Sequence, residues 1–208
     1  MSILVLLISF LASFILLIIA MTVHEFSHGW VAYKLGDNTA KYSGRLTLNP
    51  LAHIDPLWTF LLPLFLFISS NGQFVFGAAK PVPINYWALR NHKRDIVWIG
   101  ASGPLANFIF AAILTILAKL MPFGGSIRFI MMHLIIINVV LGVFNLVPIP
   151  PLDGSRILMG LLPDNLSSKL SNIEPYAFII LIMLIWLGLF DRIVWPIVGF
   201  ILKLIGLS

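Results

Sequence analysis

The sequence predicts an all-α integral membrane protein with about four to six transmembrane helices, a re-entrant or short segment, and small extended or hairpin loops. Three observations predict it. Hydrophobic residues make up 60% of the chain and charged residues only 10%, against roughly 25% charged in soluble domains. Several uninterrupted apolar runs reach the ~20 residues that a helix needs to cross a bilayer. The polar stretches between them are short and broken by Gly and Pro, and none has the composition of a soluble module. Residues 1–208 therefore read as a single membrane-embedded domain.

Residues 3–35 form the first span. The run lacks a basic leader and a small-x-small cleavage site, so it reads as a retained helix and not a signal peptide. Residues 37–56 are polar and turn-rich, and "KYSGRLTLN" alternates loosely around Ser43-Gly44, which suggests a small hairpin. The run 57–70 contains Pro63 and is short for a span, so it suits a re-entrant or kinked segment as well as a crossing. In "AAKPVPIN" each Pro biases its predecessor away from helix, so the backbone there is expected to be extended. The 71–84 stretch is in the first place a connecting loop; its other use would be strand addition to an unwound peptide. Residues 96–118 and 127–147 form the second and third spans. Residues 176–190 form a shorter fourth, and 193–206 either extends it or lies at the interface.

The chain has no cysteine, which excludes disulfides, Cys-ligated zinc and thiol catalysis. The net charge is +5, but the basic residues sit in short loops between apolar runs. That pattern fits contact with a lipid bilayer and its anionic headgroups, with no nucleic acid as partner. Seven of the thirteen Lys and Arg fall between Lys34 and Arg94, which by the positive-inside rule puts this region on the cytoplasmic side of the cell membrane.

The informative stretch is "LIIAMTVHEFSHGWVAYKLG", residues 17–36, where two histidines and a glutamate follow some twenty apolar residues without a loop. His24-Glu25-Phe26-Ser27-His28 matches H-E-x-x-H. On a helix, residues four apart differ by about 40° in azimuth, so both imidazoles project from one face and can share one zinc ion. Glu25, beside the first ligand, can reach a water on the metal and serve as general base. With five His and two Glu in the chain, chance gives this pattern about once in a thousand such sequences. Catalytic zinc usually keeps three protein ligands and an open position. The candidates for the third are His53, Asp55, His92, Asp95, His133 and Asp153. Chemistry favours Asp153, because "FNLVPIPPLDGSRILMG" breaks a helix with prolines at membrane depth, where irregular backbone is tolerated only around a cavity or inside protein. His28 and Asp153 lie at equal depth if the chain crosses the membrane an even number of times between them. Spans 96–118 and 127–147 supply two crossings, so 57–70 is expected not to cross.

At these residues the chain resembles the site-2 protease family of intramembrane zinc metalloproteases. The resemblance rests on "HEFSHGW", "GPLANF" (103–108) and "NLVPIPPLDGSRIL" (145–158), with support from "GRLTLNPLAHIDP" (44–56) and "AKPVP" (79–83). It implies one zinc ion per chain, held by His24, His28 and Asp153, with Glu25 as catalytic base. It also implies Asn107 and Asn145 near the cleft, contacting substrate backbone or the developing oxyanion; the plainer expectation for both is interhelical hydrogen bonding. The implied substrate is a transmembrane protein, cut in or near its span. The resemblance is to compact members without the PDZ or CBS domain that the family often carries. Two other classes compete: a metal transporter, which has no need of a base beside its ligands and usually shows repeats that are missing here, and an inactive scaffold, which has no chemical use for Glu25. The oligomeric state is not encoded in any of these features.

Overall fold

The computed structural model describes residues 3–69, 77, 79–121 and 124–207. Helix accounts for 77% of the structure, and no strand occurs among the described residues. The chain is an all-α membrane protein, and four stretches are long and apolar enough to span: Phe10–Lys34, His92–Leu120, Gly125–Asn145 and Asp164–Trp186.

Helix α1, Ile3–Lys34, is 32 residues long. At 1.5 Å per residue it is about 48 Å, well beyond the ~30 Å hydrocarbon core. It ends where Gly36 adopts φ 114° and the Asp37 N–H reaches back to the Ala32 carbonyl (3.0 Å), a left-handed cap that favours glycine. The hairpin expected over "KYSGRLTLN" is absent. Thr39–Tyr42 forms a short helix, α2, started by the Asp37 carboxylate on the Thr39 N–H (2.9 Å). It is closed by Gly44 at φ 67°, with Arg45 and Leu46 both donating to the Ala40 carbonyl. The backbone groups that a ladder would need are thus consumed locally.

Pro56–Leu61 forms a π-helical turn that leads into α3, Leu62–Ser69. The pair amounts to about 21 Å of helix, shorter than the hydrocarbon core. Phe60 meets Phe14 (ring centroids 5.7 Å) and Phe67 meets Phe10 (4.8 Å), so α3 runs antiparallel along the first half of α1. The Lys80 N–H donates to the His53 carbonyl (3.0 Å), so the excursion 54–79 begins and ends at one place. The chain at Lys80 is thus on the level it had at His53, as the even number of crossings between residues 28 and 153 requires. Residues 71–76 and 78 of the expected extended stretch lie outside the described residues; 79–84 has neither helical nor strand pairing.

Helix α4, His92–Leu120, is the central element, with α1, α5 (Gly125–Asn145) and α6 (Asp153–Leu161) all packed on it. Helix–helix packing in a membrane relies on close approach of small residues, since lipid is as apolar as leucine. Gly142 of α5 lies against the Phe108 ring, and Gly100 of α4 lies against Asp153 and Arg156 of α6. Gly160 of α6 abuts Val97 and the Lys93 carbonyl. Beyond α6 come α7 (Asp164–Ser171), a 3-10 turn at Glu174–Tyr176 and α8 (Ala177–Trp186). Gly188, at φ 90°, breaks the chain after α8, and α9 (Trp195–Leu204) packs on α5. Residues 193–206 are therefore a separate helix and not an extension of the fourth span. Val139 and Ile135 of α5 form one buried cluster with Ala111, Leu181, Val194 and Val198.

Gly154 is the tightest of these approaches. A Cβ there would lie 2.5 Å from the Val147 carbonyl oxygen and closer still to that of Leu146. Gly154→Ala is therefore expected to push α6 off the 146–147 loop, lowering stability by about 1–3 kcal/mol. Thermal unfolding in detergent reads this directly; an unchanged melt would show that the loop yields.

Candidate metal centre

His24 and His28 project from one face of α1, one turn apart, with ring centroids 4.7 Å apart and planes at 83°. Both are buried. Each ring is held through Nδ1. His28 Nδ1–H donates to the Ile99 carbonyl of α4 (2.8 Å), which also accepts from Ser102 Oγ (2.7 Å). His24 Nδ1–H donates to Asn107 Oδ1 of α4 (2.6 Å). With the protons on Nδ1, both Nε2 atoms carry lone pairs, and these lie 3.1 Å apart. Asp153 Oδ2 completes a triangle, 3.0 Å from His24 Nε2 and 3.2 Å from His28 Nε2.

This arrangement fits a metal ion on two grounds. Three electron-pair donors facing one another in a buried site repel unless a cation lies among them. The 3.0–3.2 Å edges are also close to the ~3.3 Å separation of ligands around tetrahedral zinc with bonds of 2.0–2.1 Å. Among the described residues, these three make the one group of His, Asp or Glu side chains able to hold a metal.

Space for the ion comes from a residue that pattern reading passed over. A Cβ on Gly103 would lie 2.6 Å from His24 Nε2 and nearer still to His28 Nε2. Gly103 thus clears the floor on which the two imidazoles meet. The signal was present, since Gly103 opens "GPLANF", but nothing in sequence spacing ties that segment to the histidines.

A cavity of about 380 Å³ opens over the triangle, lined by His24, Glu25, His28, Asp153, Asn145 and Tyr86 among others. Glu25 Oε2 accepts the Val82 N–H (2.8 Å), so the extended 79–85 segment forms a wall of the cavity and grips the glutamate. That segment is itself held down at both ends. Arg45 donates to the Lys80 and Pro81 carbonyls, and Asp37 Oδ2 accepts the Asn85 N–H (2.7 Å). At the cavity's edge Arg156 pairs with Glu174 (2.6 Å) and lies 5.6 Å from the centre of the Tyr86 ring. Burial pushes the Tyr86 phenol above its ordinary range, against the opposing pull of Arg156.

The two asparagines separate. Asn145 lines the cavity, with Nδ2 donating to the Leu141 carbonyl (3.0 Å). Asn107, expected either near the cleft or in an interhelical hydrogen bond, is fully buried behind His24. Its Nδ2 donates to the Ala20 carbonyl (3.2 Å) and to Asn138 Oδ1 (2.8 Å), so its donors face α1 and α5 and not the cleft. The other candidates for a third ligand are engaged elsewhere. His53 bonds the Thr47 carbonyl, His92 that of Tyr86 and His133 that of Phe129. Asp55 caps the Leu57 N–H and Asp95 the Asn91 N–H.

Comparison with known proteins points the same way. The description of peptidase family M50 matches residues 121–188. A Bacillus subtilis (strain 168) protein, YwhC, whose name carries the words zinc metalloprotease, is 38% identical over 191 residues, covering 88% of this chain and 83% of its own length. Rip2 of Mycobacterium tuberculosis (strain H37Rv), similarly named, is 29% identical over 80% of this chain and 63% of its own. Zinc metalloprotease MJ0392 of Methanocaldococcus jannaschii is 28% identical over 72% of this chain, which spans about a third of it (34%). No solved structure matches the chain significantly.

Gly103→Ala is expected to abolish metal binding while leaving helical content intact. Bound metal per chain and far-ultraviolet circular dichroism on the same sample test this, and full metal occupancy in the variant would refute the role of the missing side chain.

Proposed function

The chain belongs to peptidase family M50, the site-2 protease family of zinc metalloproteases, and on that premise we propose that it hydrolyses a peptide bond in or near the transmembrane segment of membrane-protein substrates, in regulated intramembrane proteolysis. The observation that carries the reading is the convergence of His24, His28 and Asp153 on the floor of one cavity, with the Glu25 carboxylate on its wall. A site of this kind inside spanning helices acts on peptides presented from the bilayer. We take residues 1–208 to act as one domain, with one zinc ion per chain.

In this reading His24 and His28, through Nε2, and Asp153, through Oδ2, hold the zinc. When bound, zinc supplies Lewis-acid activation of water and of the scissile carbonyl. Glu25 takes the proton from the attacking water and returns it to the leaving amine. The Val82 N–H holds Oε2 of that carboxylate, which leaves Oε1 to receive the proton. Asn145, which also lines the cavity, donates its second Nδ2–H to a substrate carbonyl in this reading.

The substrate helix must unwind before this chemistry, because helical carbonyls are already hydrogen-bonded and shielded. Spans with Gly, Pro or Asn near the scissile bond are therefore the preferred class. Water has to reach the cavity from one side. The 79–85 segment that walls it belongs to the basic region Lys34–Arg94, which supports a cytoplasmic opening in the cell membrane.

The test uses purified protein in bilayers with single-span substrates carrying such residues. Glu25→Gln is expected to keep its metal and lose cleavage by about 10²–10⁴-fold. Asp153→Ala is expected to lose metal and activity together. Cleavage by Glu25→Gln at the wild-type rate would remove Glu25 from the role of base.

A further inference from the structure

Resting on the reading of His24 as a zinc ligand, we propose that Asn138, on α5, is a positioning residue for the metal centre, acting through Asn107 to set which nitrogen of His24 faces the metal. Asn107 and Asn138 are both fully buried in the helical bundle, where an amide is costly unless every group is paired. The pairing is directional. The Leu134 carbonyl can only accept, so Asn138 turns Nδ2 towards it (2.8 Å) and Oδ1 towards α4. Asn138 Oδ1 can only accept, and so can the Ala20 carbonyl on the other side, so both require Nδ2 of Asn107. Asn107 Oδ1 is thereby left facing His24 Nδ1 at 2.6 Å, and an oxygen there requires the proton on Nδ1. The Nε2 lone pair is what remains for the metal.

His28 reaches the same tautomer by a different route. Its partner is the backbone carbonyl of Ile99, which no substitution at that position removes. Ser102 Oγ stands farther off (3.2 Å) and adds to that carbonyl without replacing it. For His24 the partner at Nδ1 is a side chain alone, and its chain of dependence runs across three helices, from α5 through α4 to α1. If the Asn107 amide turned over, its NH₂ would face His24, moving the imidazole proton to Nε2 and blocking the ligand position. Asn138 supplies the shorter of the two bonds that oppose this flip, 2.8 Å against 3.2 Å.

The experiment reads zinc affinity by chelator competition, together with thermal unfolding of the metal-free protein in detergent. Asn138→Leu keeps the size and removes the acceptor; it is expected to weaken zinc binding about 10-fold, the lower end of what outer partners of metal ligands contribute. Asn138→Asp, uncharged at this depth, keeps an acceptor for Asn107 and a donor for Leu134, so it is expected to hold zinc as the wild type does. In an Asn107→Leu background, Asn138→Leu is expected to cost no further affinity, because the path is already cut. A packing role alone would lower the unfolding temperature without this pattern. Wild-type affinity in folded Asn138→Leu would overturn the proposal, as would an additive loss in the double variant. Should Asn138→Leu fail to fold, Asn138→Asp decides: loss of zinc from that folded variant would overturn it. Because zinc affinity is read and not cleavage, the outcome is independent of whether any substrate is cut.

Discussion

Two imidazole lone pairs and a carboxylate oxygen lie within 3.2 Å of one another in the interior of an apolar bundle, and the rest of the structure depends on that cluster being held. Left to itself such a cluster disperses, because each donor prefers water or a proton to another donor. The fold prevents this by fixing each group from behind. Helix α4 holds both histidines through Nδ1, one by the Ile99 carbonyl and one by Asn107. Helix α6 brings Asp153 in on its first turn and packs on the same α4. The glycines at 100, 103, 154 and 160 are what let these backbones come close enough. In a bilayer there is little hydrophobic gain from pressing helices together, so close contact must be built in residue by residue.

The second constraint is that hydrolysis needs water while the bilayer excludes it. The excursion 54–79 answers part of this. Residues 56–69 run along α1, and Lys80 lies hydrogen-bonded to His53, where the segment began. Helix α3 adds apolar surface beside α1, and the chain at Lys80 is again beside His53. The following loop then becomes the cavity wall, and its backbone is bonded to Glu25, Arg45 and Asp37. A segment without helix or strand pairing can sit there because its polar groups find partners in side chains.

Some residues could be read individually and others only as contacts. H-E-x-x-H was legible because helical periodicity is local: four residues place both imidazoles on one face whatever the surroundings. Asp153 could be favoured because a carboxylate after a proline-broken helix end at membrane depth has few structural reasons to be there. For Asn107 two uses stayed open, the cleft or an interhelical hydrogen bond, because the segment "GPLANF" does not say which side of its helix the amide takes; the packing of α4 turns it to the back of His24. Gly103 and Asn138 were not singled out at all. A glycine matters here only for what approaches it, and an amide only for what it faces. The hairpin at 41–49 failed for a related reason, since loose alternation lost to an Asp37 cap and a left-handed Gly44.

By itself the sequence determined the solvent, the helical class, the order of spans and the chemical character of the centre. Each of these follows from composition or from spacing within one helix, where geometry is set by 3.6 residues per turn and by the thickness of lipid. Only the tertiary structure decided which asparagine faces the cavity, which glycine makes room beside the histidines, and that 56–69 lies antiparallel along α1. Those outcomes depend on the rotation of each helix about its own axis and on contacts across as many as 125 positions of chain. No local pattern carries that information, because a helix presents the same sequence whichever of its faces meets a neighbour.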